Sequence, residues 1–378
     1  MKIIIAPDSF KGSMTSIEAA EAIQCGIKEI NKDIETVLIP MADGGEGTVE
    51  AFCSILKGEE VEVKRLDDPL GRSINATYCW VEETSTAVIE TASASGLPLL
   101  KEGELNPDIA STYGTGQLIT SALDKGARKI ILGLGGSATV DAGTGCFQAL
   151  GVKFRDKDGV EVQGNGGVLA HIASIDLSEM DSRLNEVEFI IASDVTNPLL
   201  GSEGAITIFG PQKGVRDIDR FEAGMENYKN IVSEHVGKNV DKYEGSGAAG
   251  GFGFSLLSFL NPRLVSGFTL IAELCCLEAE IKTSDLVITG EGRVDEQTLY
   301  GKVPAGLARL AKQYNVPVVA FAGTTTMIHA KELGLKAVLP IIDEPMVLHR
   351  AIERGPELLY KACMRFMIVY QWLSEKKD

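Results

Sequence analysis

Carboxylic acids recur along this sequence just after apolar runs, most of them beside glycines and some beside basic residues. The clusters are Asp8-Ser9-Phe10-Lys11-Gly12-Ser13, Ala42-Asp43-Gly44-Gly45-Glu46-Gly47-Thr48, Ser193-Asp194-Val195-Thr196-Asn197 and Gly290-Glu291-Gly292-Arg293-Val294-Asp295, with Asp141 in another. A single acid in a loop more often serves solvation than function. Gathered at the carboxyl ends of strands in one crevice, the same acids would form a hard-oxygen site. That chemistry suits Mg2+, which prefers carboxylate plus phosphate oxygens and keeps several waters. Lys11, Lys213, Lys302 and Arg293 lie near these loops and are candidate clamps for phosphate or carboxylate.

The stretch Arg128–Gly151 carries a second kind of signal. Ile130–Leu134 reads as a buried strand, Gly135-Gly136-Ser137-Ala138-Thr139 as a turn, and the residues around Gly145–Leu150 as a helix. Strand, glycine turn and helix aim free backbone N–H groups at an anion, with the helix dipole assisting. The bland alternative is a tight connection that binds nothing, and it carries equal weight on the motif alone.

These loops need elements to hold them. Residues 2–7 read as a strand, Ile17–Ile30 as a helix capped by Thr15 or Ser16, Thr36–Pro40 as a strand, and the residues up to Leu56 as a helix. The repeated strand–loop–helix unit is the signature of a parallel sheet with helices on its faces, where ligands collect at the carboxyl ends. Near Asp67-Asp68-Pro69-Leu70-Gly71 the rhythm changes, and Ile74–Glu82 and Ala87–Thr91 have an antiparallel character. Gly245–Gly253 is too rich in glycine for an ordinary helix start and predicts close backbone packing or a ligand. The strand–helix rhythm returns at Asp285–Thr289, and an amphipathic helix, roughly Pro356–Leu373, closes the chain on the sheet. The predicted fold is therefore α/β with two domains. A discontinuous, doubly wound, Rossmann-like domain takes residues 1–66 and 285–378, and an inserted α/β domain with a mixed sheet takes 67–284. A cleft between them would gather loops from both.

Composition narrows the chemistry. A net charge of −17 argues against a partner as anionic as nucleic acid or a membrane surface. The seven cysteines form no CxxC pair, and with an opening that reads as a strand rather than a leader they predict reduced thiols in the cytoplasm. No apolar run approaches the ~20 residues of a membrane helix. His171, His235, His329 and His349 are widely spaced and lie outside the glycine loops, which disfavours a histidine triad or a zinc site. Neither GxSxG nor GxxxxGK[ST] occurs. Gly133–Ala138 satisfies GxGxxG/A loosely, with Asp156 or Asp158 as the partner acid. A polar stretch separates those glycines from their helix, so a nicotinamide-dependent dehydrogenase is a distant reading.

In this order, the loops resemble those of the bacterial type 1 glycerate kinases. The matching segments are APDSFKGS (Ala6–Ser13), ADGGEGT (Ala42–Thr48), TYGTG (Thr112–Gly116), GLGGSATVDAGTG (Gly133–Gly145), SDVTNPLLG (Ser193–Gly201), FGPQKG (Phe209–Gly214), GAAGGFG (Gly247–Gly253) and DLVITGEGRVDEQTLYGK (Asp285–Lys302). One departure is Val140-Asp141-Ala142, where the family often has Asn-Asp-Gly; another is the tail beyond Cys363. The resemblance implies ATP-dependent, Mg2+-assisted phosphorylation of D-glycerate, with 2-phosphoglycerate favoured over 3-phosphoglycerate. For phosphoryl transfer, Gly135, Gly136, Ser137 and Thr139 would cradle the ATP phosphates with Lys302 beside them. Asp194 would orient or deprotonate the glycerate hydroxyl. Asp43 and Asp295 would hold Mg2+ or substrate hydroxyls, and Lys11 and Arg293 would meet the glycerate carboxylate or the transferring phosphoryl group. Such an enzyme would have only small-molecule partners, apart from a copy of itself in a homo-oligomer. The alternative from another class is a non-catalytic protein that senses a small carboxylate or nucleotide.

Overall fold

The run Lys2-Ile3-Ile4-Ile5 places β-branched side chains on both faces, which suits a strand covered on each side. In the computed structural model, which describes residues 1–42, 47–295, 303–325 and 330–374, this run is β1 (Lys2–Ile5), and its three isoleucines are wholly buried. The chain continues through β2 (Glu35–Leu38) and then forms β3 (Glu59–Asp67), β4 (Ser73–Val81), β5 (Thr86–Glu90) and β6 (Lys129–Gly133). Next come β7 (Lys153–Arg155), β8 (Ser174–Asp176), β9 (Glu188–Ala192) and β10 (Arg263–Val265). It closes with β11 (Leu286–Val294), β12 (Val318–Thr325) and β13 (Ala337–Pro340). Contacts divide it into two units, Met1–Asp43 with Gly267–Asp378, and Gly44–Ser266.

The discontinuous unit holds a parallel sheet in the order β13-β12-β11-β1-β2. From β1 the chain moves outward to β2, and from β11 it moves the opposite way to β12 and β13. The direction of winding therefore reverses between β1 and β11, the place where open α/β sheets bind ligands. Ile3, Ile5, Ile288 and Phe321 pack on one face against the helices Ser16–Ile30 and Gly355–Ser374. Ile4 and Val287 alternate onto the other face and are equally buried. Thr15 caps the first helix in a reciprocal box with Glu18. The final helix rests on the first helix as well as on the sheet. They cross at Gly26, where a Cβ would come within 2.9 Å of the Cys363 Cβ, while Phe366 stacks edge-on against Phe321 of β12.

The continuous unit holds a mixed sheet in the order β10-β9-β6-β5-β4-β3, with β5, β6, β9 and β10 parallel and β3 and β4 antiparallel, beside the small pair β7-β8. The fold is thus α/β throughout, a doubly wound parallel sheet with an inserted mixed-sheet unit.

Two expectations are corrected. Gly290–Val294 belongs to β11 rather than to a loop, because pairing with β12 continues through Arg293 opposite Thr324 and Val294 opposite Thr325. Cys53 and Cys79 are not separate thiols; they form a disulfide, with Cα atoms 5.5 Å apart. The helix Thr48–Leu56 lays Cys53 on β4, a tertiary contact across 26 residues that no cysteine spacing announces.

Candidate active site

The glycine turn leaves β6 as the sequence predicts, and a helix, Thr144–Ala149, follows it. Gly136 takes a left-handed backbone (φ 71°), which a side chain would oppose. The turn is seated on the short helical segment after β5: Leu97 N–H donates to Gly136 O at 2.9 Å, and Ala138 N–H to Ser95 O at 2.9 Å. The Ala138 amide is therefore committed to the protein. Gly135 is half-buried and Gly136 exposed, whereas Ser137 and Thr139 are buried.

Lys213 reaches this turn from the short helical turn Pro211–Lys213. Its ammonium donates to Ser137 Oγ at 2.7 Å and to Thr139 O at 2.9 Å, and the residue is only 3% exposed. Among the described residues no salt bridge engages it, so burial draws its pKa down to about 7, opposed by the Asp141 carboxylate. The hydroxyl of Thr139, also buried, has no hydrogen-bond partner among the described residues. A buried amine and an orphan hydroxyl behind a glycine turn leave hydrogen-bonding capacity that an anion could use.

Asp141 is a brace rather than a hard-oxygen ligand, which corrects the expectation that grouped it with the strand-end acids. It is wholly buried and accepts from Thr112 N (2.9 Å), Thr112 Oγ1 (2.7 Å), Gly143 N (3.1 Å) and Gly145 N (3.2 Å). It thereby pins the starts of the helices Tyr113–Asp124 and Thr144–Ala149, and burial raises its pKa against those four bonds. The two residues that depart from the resembled pattern stand on either side of it. Val140 is wholly buried in the core, and Ala142 holds the left-handed conformation (φ 53°) that a glycine adopts freely.

Asp194 stands two residues beyond β9. Gly133 and Ala192 are paired in register, and Leu134 N–H donates to Ala192 O at 3.3 Å, so Asp194 and Gly135 leave neighbouring strand ends. Ser193 N–H donates to Val265 O at 3.0 Å, which anchors the residue before Asp194 to β10. Glu90, which the pattern of acids beside glycines does not single out, is level with Gly133 at the end of β5; it is buried and accepts the Val49 N–H at 2.7 Å. Its position after an apolar strand run was the available signal.

The glycine-rich segment buttresses the turn from behind, as its composition predicts. Ala249, Gly250 and Gly251 are all left-handed, and Gly250 lies so close to Thr139 that a Cβ would collide with its carbonyl oxygen. Gly201 is also left-handed (φ 97°) but has open space around it. Gly201→Ala should therefore cost about 1–2 kcal/mol, the backbone strain alone. Gly250→Ala should cost about 3 kcal/mol or more, because overpacking adds to that strain. Urea denaturation of the two variants reads the difference; equal losses would mean that the Gly250–Thr139 contact does not set the position of the turn.

Lys11, Arg293 and Asp295 lie in the discontinuous unit, at the reversal point. Lys11 is exposed in the loop after β1, and a Cβ on Gly292 of β11 would stand 3.4 Å from its backbone nitrogen. Arg293 is 67% exposed and its Nε pairs with Asp295 Oδ2 at 2.8 Å; Asp295 is 15% exposed. Asp43, Glu46 and Lys302 lie outside the described residues. Among the described residues no group of three or more His, Cys, Asp or Glu is arranged to hold a metal. Asp156 is spent on a turn, accepting from Asp158 N and Val160 N at 2.9 Å each, which leaves the dinucleotide reading without support from that acid.

Comparison with known proteins bears on this arrangement. A family model described as the glycerate kinase family matches residues 3–371. The chain is 44% identical to a glycerate kinase of Halalkalibacterium halodurans over 98% of each chain. It is 43% identical to a glycerate 2-kinase of Escherichia coli (strain K12) over 96% of each. A crystal structure from Salmonella typhimurium LT2, named for a glycerate kinase 2, superposes with a TM-score of 0.88 at 40% identity, covering 99% of both chains.

Proposed function

This chain belongs to the glycerate kinase family, and we propose that it transfers the γ-phosphoryl group of ATP to the 2-hydroxyl of D-glycerate with the assistance of Mg2+. The observation that carries the reading is the buried Lys213 ammonium behind the Gly135–Thr139 turn, beside the strand end that bears Asp194. Phosphoryl transfer asks the protein for position and charge neutralisation more than for covalent chemistry. The exposed part of the turn receives the ATP phosphates, and Lys213 supplies positive charge through Ser137. Asp194 orients the glycerate hydroxyl and takes up its proton as charge develops, since that hydroxyl is far too weak an acid to ionise beforehand. Lys11 and Arg293 meet the glycerate carboxylate or the transferring phosphoryl group.

Mg2+ needs only one or two protein carboxylates when phosphate and water supply the rest, and Asp295, just past β11, is one candidate. Asp295, with Asp43, would hold the ion, and its chemistry would be to neutralise charge on the phosphoryl oxygens. No described helix is long and apolar enough to cross a membrane, and the reading is of a cytoplasmic enzyme with ATP and glycerate as its partners. The choice of the 2-hydroxyl is supported by the relative named glycerate 2-kinase.

The test is 31P NMR of a mixture of the protein, ATP, MgCl2 and D-glycerate. Formation of ADP with a new phosphate doublet, split by the single proton on C2, supports the proposal. A triplet, from the two protons on C3, moves the transfer to the other hydroxyl. Tight binding of glycerate or ATP with no ADP formed would mean a sensor instead.

A further inference from the structure

Beyond the carboxyl ends of β1, β11, β12 and β13, the discontinuous unit holds a pocket of about 270 Å3. Phe10 and Ile341 form its buried wall, Gly292 and Gly323 come from β11 and β12, and Ala351 comes from the helix Leu348–Glu353. The pocket is built into the fold. Ser13 Oγ donates to Ile352 O at 2.6 Å, tying the Phe10–Met14 turn to that helix, while Ile341 N–H donates to Ala322 O at 2.9 Å and fixes the opposite wall.

Two features of this pocket point to its occupant. Its lining is mainly hydrocarbon, and Ile342 and Leu348 at its rim are 37% and 70% exposed, an apolar mouth left open to water. Among its described lining residues the one formal charge is Lys11. A ligand that satisfies both is weakly polar at one end and anionic at the other. Of the two substrates in the proposed reaction, glycerate bears oxygen on every carbon and gains nothing from leucine and isoleucine walls. A purine gains a great deal, and apolar pockets with a few convergent polar groups are the usual seat of such ligands.

We infer that this pocket takes the purine base of the nucleotide donor, with Lys11 turned toward the phosphate chain rather than toward the glycerate carboxylate. The inference rests on the phosphoryl-transfer reading and adds to it the place of the base, between the winding reversal and the helix Leu348–Glu353.

Filling the pocket tests it. Ala351→Trp should raise KM for ATP about tenfold to a hundredfold, as expected for loss of the base contacts, with KM for glycerate within about twofold of the unaltered protein. Leu348→Asp, at a side chain too exposed to matter for folding, should raise KM for ATP in the same direction. Adenosine, which has no phosphate, should compete with ATP for the unaltered protein and lose that competition in Ala351→Trp, whereas inorganic tripolyphosphate should inhibit both equally. An unchanged KM for ATP in both folded variants, with the unaltered protein active, overturns the pocket assignment and leaves the phosphoryl-transfer reading intact. If the unaltered protein releases no ADP, the transfer reading fails. Binding of a fluorescent N-methylanthraniloyl adenosine, lost in Ala351→Trp, then decides the pocket separately: retained or absent binding overturns it.

Discussion

Lys213→Met should lower kcat/KM for ATP by about 10²–10³, the usual loss when a preorganised donor to a developing negative charge is removed. Methionine preserves the length and packing of the side chain but cannot donate to Ser137 or to the carbonyl of Thr139. A companion measurement separates loss of charge from loss of structure. In the folded protein the amine titrates near 7, against 10.5 for an ordinary lysine, because burial disfavours its charged form. Between those two values the unfolded chain binds the proton that the native chain has released. Stability should therefore rise with pH across that window and be lowest below it, where the native amine must be charged. Urea denaturation at several pH values should reveal that slope in the unaltered protein and its disappearance in Lys213→Met. Bound phosphate acts the other way by favouring the ammonium, so ATP should bind with proton uptake and more weakly as pH rises above about 7. A folded Lys213→Met variant within about threefold of normal turnover would remove Lys213 from the site.

Asp194→Asn is expected to lower kcat by about 10²–10⁴ while leaving KM for ATP nearly unchanged. The amide fills the same space but can neither accept the hydroxyl proton nor stabilise charge as the proton leaves. The position is held by the pairing of β9 between β6 and β10, so a collapse of the loop is not the expected cause of lost activity. A fall of less than about tenfold, worth only ~1.4 kcal/mol of barrier, would sink the assignment. Loss of ATP affinity in place of kcat would make Asp194 part of nucleotide binding.

Several elements of the fold are legible in the order of the residues alone, for local reasons. The isoleucines of β1, the Thr15–Glu18 capping pair and the helix that follows it depend on residues within a few positions of one another. The excess of glycine in Gly245–Gly253 likewise foretells tight backbone packing, which takes the form of three successive left-handed residues. The end of β11 was not legible, because Gly290–Val294 has the composition of a loop and is extended only by its neighbour β12. The same holds for the Cys53–Cys79 bridge.

At the site, residue type alone put Lys11, Lys213, Asp141 and Asp194 on one footing as charged side chains in polar loops. What the sequence determined was which groups of the required chemistry exist and that they follow strands. Tertiary structure decided their fates, burying Lys213 against Ser137, spending Asp141 on four backbone and hydroxyl donors, and leaving Lys11 in solvent. The physical reason is that the free energy of a charge depends on its burial and its partners, and both are set by segments distant in the chain.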